Sequence, residues 1–203
     1  MTNIDDLPVL TNDFESLTET MIAWMNNNVK VRRWTNQRID RDFAKRSVSK
    51  ILEQGDVFYM NPCLDYSLVL VQSLNQNKIK NYILCEEEQQ TNFPFHQLHF
   101  AIQIDLDSKV YFIDFNGSTI VYAGEGIYSN PRSDIELLKS FRINSNKIKP
   151  GKNIFDIITE FDFLNFDFNK QVAKLKNDNT DETYMIYSNS LENDLSLKLK
   201  YLD

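Results

Sequence analysis

At 203 residues and 42% hydrophobic content the chain is long enough for one domain with a substantial core, and its 14 Phe and 9 Tyr make that core aromatic. Five Gly and five Pro exclude a collagen-like or low-complexity chain. A net charge of -7 argues against a nucleic-acid partner, because neutralising phosphates takes a basic surface. Two cysteines, Cys63 and Cys85, make no disulfide framework. With two histidines they match no zinc spacing, so neither a metal nor a cofactor is expected. The first ten residues carry acids rather than a basic segment before an apolar run, so they do not read as a signal peptide. No apolar stretch reaches membrane-spanning length, and the expectation is a cytoplasmic protein with no membrane partner.

Residues 1–11 read as a loose leader. Asn12 or Asp13 can cap a first helix whose apolar stripe is Phe14, Leu17, Met21 and Trp24, ended by Asn26, Asn27 and Asn28. A second helix is predicted over 36–53, with Ile39, Phe43, Val48, Ile51 and Leu52 inward and Gly55 as its C-cap. The basic residues Lys30, Arg32, Arg33, Arg38, Arg41, Lys45 and Arg46 read as a solvated helix face. Residues 56–60 are a connector.

Asn61-Pro62-Cys63-Leu64-Asp65-Tyr66-Ser67 then opens a third helix, running to about 75–77. Asn61 suits the cap, and Pro62 suits the first helical position, where its missing N–H costs nothing. Cys63 falls in the first turn, where the helix dipole favours the thiolate, the reactive form of cysteine. Leu68, Val69, Leu70 and Val71 are apolar on every side, so the helix is buried.

Residues 82–85 form a short β run, in which Cys85 reads as an inert core thiol. The acidic stretch 86–92 reads as an exposed loop, and Pro94 interrupts regular structure. Leu98, Phe100, Ile102 and Ile104 alternate with His99, Ala101, Gln103 and Asp105, and a second run spans 110–115 after the turn-like Asp107-Ser108. That is a β-hairpin. With the turn centred between Leu106 and Asp107, His99 lies opposite Asp114; a register slipped by two leaves them one diagonal apart on the same face. Further on, 118–123 reads as a strand, 124–132 as a loop, 134–141 as a short helix, Pro150-Gly151 as a break and 153–176 as helical at least at its start. Residues 183–187 and 195–201 alternate as strands do.

Cys63, His99 and Asp114 therefore converge. A thiol attacking an amide needs a base to take its proton and return it to the leaving amine, and imidazole does both near neutral pH. A carboxylate on the far ring nitrogen sets the tautomer and stabilises the imidazolium. An Asp within the apolar run 110–113 is costly without such a partner. His96 is a rival base, but it sits before the strand beside Pro94-Phe95.

The order resembles the transglutaminase-like superfamily, a branch of the papain-like cysteine enzymes. Asn61-Pro62-Cys63-Leu64-Asp65-Tyr66-Ser67 is similar to the family's Cys-bearing helix start. Leu98-His99-Phe100-Ala101-Ile102 is similar to its His strand, and Tyr111-Phe112-Ile113-Asp114-Phe115 to its Asp strand. The resemblance covers residues 36–116, about two-fifths of the chain. Many members have Gly before the Cys segment, Trp after the His and Pro after the Asp; this chain has Asn61-Pro62, Phe100 and Phe115. It lacks the Arg-Gly-Gly approach of arylamine acetyltransferases and the cysteines of the zinc-bearing glycanases.

The resemblance implies an α+β fold: a Cys-bearing central helix packed on an antiparallel sheet, with N-terminal helices. Within a single domain 1–203, a core spans 12–123 and a C-terminal extension spans 124–203. It further implies an acyl-transfer enzyme on amide bonds of a protein or peptide substrate, with Cys63 as nucleophile, His99 as acid/base and Asp114 as orienting carboxylate. Some members carry a side-chain oxyanion donor upstream; Trp24, Trp34, Tyr59 and Asn61 are the candidates. The alternatives are a catalytically silent binding module whose C-terminal segment covers the cleft or binds a partner, and a protein-glutamine deamidase or transglutaminase.

Overall fold

A computed structural model describes residues 2–90, 96–116, 118–123, 135–149, 151–160, 167–180 and 199–201. The architecture is mixed α+β: among the described residues, six helices accompany a six-stranded sheet and a separate two-stranded pair. None of those helices is long and apolar enough to cross a membrane.

Helix α1 (Phe14–Asn28) starts where Asp13 accepts a hydrogen bond from the Ser16 N–H. Its buried stripe is Phe14, Leu17, Met21 and Met25. Trp24 is only half-buried, and its indole N–H donates to the Asp6 carbonyl. The helix expected over 36–53 is two helices, α2 (Asn36–Asp42) and α3 (Val48–Gln54). Ala44 between them has φ +58, and Ser47 caps α3 by accepting from the Lys50 N–H. A hydroxyl that bonds nearby backbone competes with helix continuation, and here it wins. All five residues expected inward are buried all the same. Gly55 terminates α3 at φ +65, its N–H donating to Ile51. The connector after it contains strand β2 (Asp56–Phe58), which runs parallel to β1 (Lys30–Arg32).

Helix α4 (Pro62–Gln76) is central, with eleven of its residues buried. It packs on the sheet, whose strand order is β7-β3-β4-β5-β6-β8. Strand β3 (Lys80–Gln90) runs straight through the stretch expected to be an exposed loop, and Glu86, Glu87 and Glu88 are buried. Pairing on both sides, with β4 (His96–Leu106) and β7 (Ile135–Asn144), satisfies its backbone and overrides the polar sequence. Residues 91–95 lie outside the described residues. The segment read as a helix over 134–141 is instead strand β7, since short apolar runs take their state from long-range partners. Strand β6 (Ser118–Ala123) matches its expected bounds, while 124–134 lies outside the described residues.

The β4–β5 hairpin differs from the first register by two residues. Asp107 and Ser108 both have positive φ, +47 and +65. That is the two-residue hairpin turn whose twist suits the flanking strands. It sets Leu106 opposite Lys109, and so Asp114 of β5 (Lys109–Asn116) lies opposite Ala101 rather than His99. The core face is unaffected: Leu98, Phe100, Ile102, Ile104, Ile113 and Phe115 are all buried.

The chain beyond 123 is built into this sheet. β7 and β8 (Leu199–Tyr201) are its two edges, and β8 lies parallel to β6. Residues 183–187 and 195–198 lie outside the described residues. Helices α5 (Ile154–Glu160) and α6 (Phe168–Asp178) cover the α2–α3 break. The Phe155 N–H donates to the Ala44 carbonyl at 2.9 Å, and Asn153 Nδ2 donates to Lys45. Phe168 stacks on Phe43, and Asn179 Nδ2 donates to the Trp34 carbonyl.

Left-handed φ costs a non-glycine residue about 1–2 kcal/mol. Ser108→Gly should therefore stabilise the protein by about 1 kcal/mol, seen as a higher urea midpoint at unchanged m-value. No gain would mean the Asp107-Ser108 turn carries no such strain.

Candidate active site

Pro62 opens α4 at its first position, and Cys63 follows in the first turn, 5% exposed. Asn61 occupies the cap position, but its side chain does not cap. Its Oδ1 instead accepts the Cys63 S–H at 2.9 Å. The sulfur thus has a neutral acceptor on the side of the partly exposed 60–62 segment.

His99 stands on β4 just beyond the first rung of the β4–β5 ladder, the Ala101–Asp114 pair. The diagonal offset is short enough for direct contact: His99 Nε2 lies 2.6 Å from Asp114 Oδ1. Asp114 is wholly buried and His99 is 5% exposed. With Nε2 committed to the carboxylate, Nδ1 is the nitrogen left for Cys63, whose sulfur is near enough to raise the ring's pKa. The three residues singled out in the sequence meet in one chain of contacts, on the slipped register rather than the first one.

The environment favours a charged ring. Burial opposes the imidazolium and is the largest single influence on it. The charge and hydrogen bond of Asp114, with the Cys63 sulfur added, outweigh that and hold the His99 pKa well above the ordinary imidazole range. Cys85 behaves oppositely. Burial, helped by Glu86, Cys63 and Glu87, pushes its thiol well above the usual range, as suits an inert core residue. Glu86 stands opposite His99 across the β3–β4 ladder and is buried. His96 lies opposite Gln89 at the far end of β4; its side chain is outside the described residues.

Of the basic cluster expected on a solvated face, Lys30, Arg32, Arg41 and Lys45 are exposed, but Arg33 and Arg38 are half-buried and Arg46 is buried, and sequence reasoning missed the role of Arg38 and Arg46. Arg38 grips Asp56 with two hydrogen bonds, 2.8 and 2.6 Å, and reaches Asp42 and Gln54. Arg46, 3% exposed, bonds Gln54 at 2.6 Å, Asp56 at 3.2 Å and Asp65 of α4. Both guanidiniums lie 4.4 Å from the Trp34 ring centre, on which a cation is attracted by the π face. Burial pushes the Asp65 carboxyl up, and the Arg46 charge pulls it the other way. Arg41 and Lys45 are exposed as expected. The α2–α3 break is what turns Arg46 inward. The legible signal was the pairing of several Arg with Asp42, Asp56 and Asp65 around one Trp.

Among the described residues, no group of three or more His, Cys, Asp or Glu side chains could hold a metal ion. Compared with family models, curated proteins and solved structures, the chain has no match.

Removing one member of a buried ion pair leaves the other uncompensated, at about 3–5 kcal/mol. Arg46→Met should destabilise the protein by about that amount in urea unfolding, and adding Asp65→Leu should restore most of it. A double variant no more stable than the single would refute the coupling. His99 gives a second expectation. A raised folded pKa adds stability that is complete below the unfolded value of about 6.5 and is lost as pH rises through the folded value. In Asp114→Asn the His99 ring should titrate lower by NMR. The stability deficit against wild type should be widest on the acid side and shrink as pH rises. An unmoved titration would show that Asp114 does not set the ring's charge.

Proposed function

We propose that the chain is a cysteine-dependent acyl-transfer enzyme acting on amide bonds, with a transglutaminase-like core. The observation that carries the reading is the buried contact chain from the Cys63 sulfur through His99 to Asp114. Cys63 passes its proton to His99 Nδ1 and attacks the substrate carbonyl. The imidazolium, steadied by Asp114, then protonates the leaving amine, and a thioester remains on Cys63. The Cys63 backbone N–H, in the unbonded first turn of α4, is a donor for the oxyanion. Water resolves the thioester in a peptidase, isopeptidase, amidase or glutamine deamidase; an amine resolves it in a transglutaminase. Hydrolysis is preferred because it needs only water as acceptor. A protein or peptide is the substrate that fits the resemblance.

A second reading has one observation in its favour: Cys63 and His99 are each only 5% exposed. A binding module that keeps the triad residues for structure would have such a shut site.

Iodoacetamide separates the two. In the enzyme, Cys63 labels fast near pH 6, located by peptide mass mapping, and His99→Ala slows it at least about tenfold, because the thiolate depends on the imidazolium. Cys63→Ala should lower activity on amide substrates by at least about 10³-fold. Slow labelling that ignores His99 would favour the module.

A further inference from the structure

Cys63 and His99 are each 5% exposed, so the site itself meets little of a protein substrate beyond the amide being attacked. Choosing among amides then needs contact with more distant parts of the substrate, whose binding energy contributes at the reacting centre. A groove of about 610 Å³ lies close by, within the size range of sites that bury a ligand. Residues 33–37, from the end of β1 into the first turn of α2, form one wall, and Asn179 and Thr180, just past α6, form the other. All of these except Asn36 and Gln37 lie outside the stretch 36–116 that resembles the transglutaminase-like family.

We propose that this groove binds an extended peptide segment of the substrate through its main chain, a few residues along from the amide that Cys63 attacks. The inference rests on the acyl-transfer reading above. The groove is held in shape by one buried side chain. Asn179, 4% exposed, donates from Nδ2 to the Trp34 carbonyl at 2.9 Å and to Asn36 Oδ1 at 3.0 Å. Arg33 donates back to the same residue, from Nε to Asn179 Oδ1 at 3.3 Å and from Nη2 to the Asn179 carbonyl. Both walls are thus fixed before anything binds, which lowers the ordering cost of binding. Thr35, Gln37 and Thr180 are exposed and uncharged, and Gln37 makes no hydrogen bond among the described residues. A side-chain amide offers both donors and an acceptor, which is what an extended peptide unit needs from a partner.

Two short lines of contact join the groove to the thiol. Trp34, in the groove wall, stacks on Phe58 with ring centres 5.2 Å apart, and the Phe58 carbonyl accepts the Asn61 N–H at 3.2 Å, two residues before Cys63. Trp34 also lies 4.4 Å from the Arg46 guanidinium, which bonds Asp65, two residues after Cys63. Strands β1 and β2 run parallel and end together, with the Tyr59 N–H donating to the Arg32 carbonyl. From that shared end one chain enters the groove at Arg33 and the other leads to the thiol through the partly exposed segment 60–62. A path of one ring stack and one tight turn is covered by about four residues of extended peptide, at about 3.3 Å each.

Thiol reagents of graded length read the groove. Iodoacetyl-oligoalanine amides and acetyl-oligoalanine chloromethyl ketones carry the peptide on opposite sides of the reacting carbon, and each series runs to about six residues. The rate of Cys63 alkylation is divided by that of iodoacetamide in the same protein. In wild type this ratio should rise at least about tenfold in one series once the peptide reaches about four residues. Gln37→Ala, which removes a binding amide, should reduce the gain about threefold, and Gln37→Trp, which fills the groove, should abolish it. Urea unfolding verifies that both variants are folded. A ratio that does not grow with length in either wild-type series would overturn the assignment. So would a gain that survives Gln37→Trp, since the peptide would then lie elsewhere. If iodoacetamide itself labels Cys63 slowly and without regard to His99, the acyl-transfer reading fails and takes this one with it.

Discussion

A carboxylate with no exposed surface cannot stay charged without a partner, and Asp114 has one in His99, 2.6 Å away. Much of the sheet can be understood from that contact. β4 and β5 pair in a register that leaves His99 one diagonal from Asp114. The two-residue turn at Asp107-Ser108 supplies that register at the cost of two residues in left-handed backbone. A one-residue slip of β5 would send Asp114 into the core face, away from His99, and turn Ile113 outward.

Helix α4 meets the sheet from the other direction, and its placement is held at its first turn. Asp65, two residues after Cys63, is bound by Arg46, which also grips Gln54 and Asp56. A buried ion pair of this kind contributes little against apolar residues of the same size. What it specifies is position: α4 cannot slide without stranding a charge. The loop carrying Arg46 exists because α2 and α3 are separate helices, and α5 bonds the carbonyls exposed by that break. Residues late in the chain thus brace the first turn that holds Cys63.

The site's chemistry follows from its dryness. Burial by itself would discharge His99, yet the Asp114 carboxylate, with the Cys63 sulfur added, reverses this. Cys85, wholly buried among acidic neighbours, has its thiol pushed well above the usual range. The two cysteines differ by surroundings alone.

Local chemistry made part of this legible in the sequence. Pro62 and the apolar run 68–71 announced a buried helix with Cys63 at its tip, strict alternation announced the hairpin, and Gly55 announced a helix end. Cys63, His99 and Asp114 were visible because each was an odd residue in an otherwise apolar pattern. What local pattern could not settle was any choice made by a distant partner. The stretch 86–92 looks like a polar loop until β4 and β7 pair with its first residues, and 134–141 looks helical until β3 pairs with β7. Arg38 and Arg46 look solvated until Asp56 and Asp65 arrive from later in the chain. Asn61 looks like an ordinary cap until the thiol two residues on takes its oxygen. The sequence alone determined which residues were out of place in their local surroundings. The tertiary structure decided which of them meet, because a buried polar group is satisfied by whatever the fold brings to it.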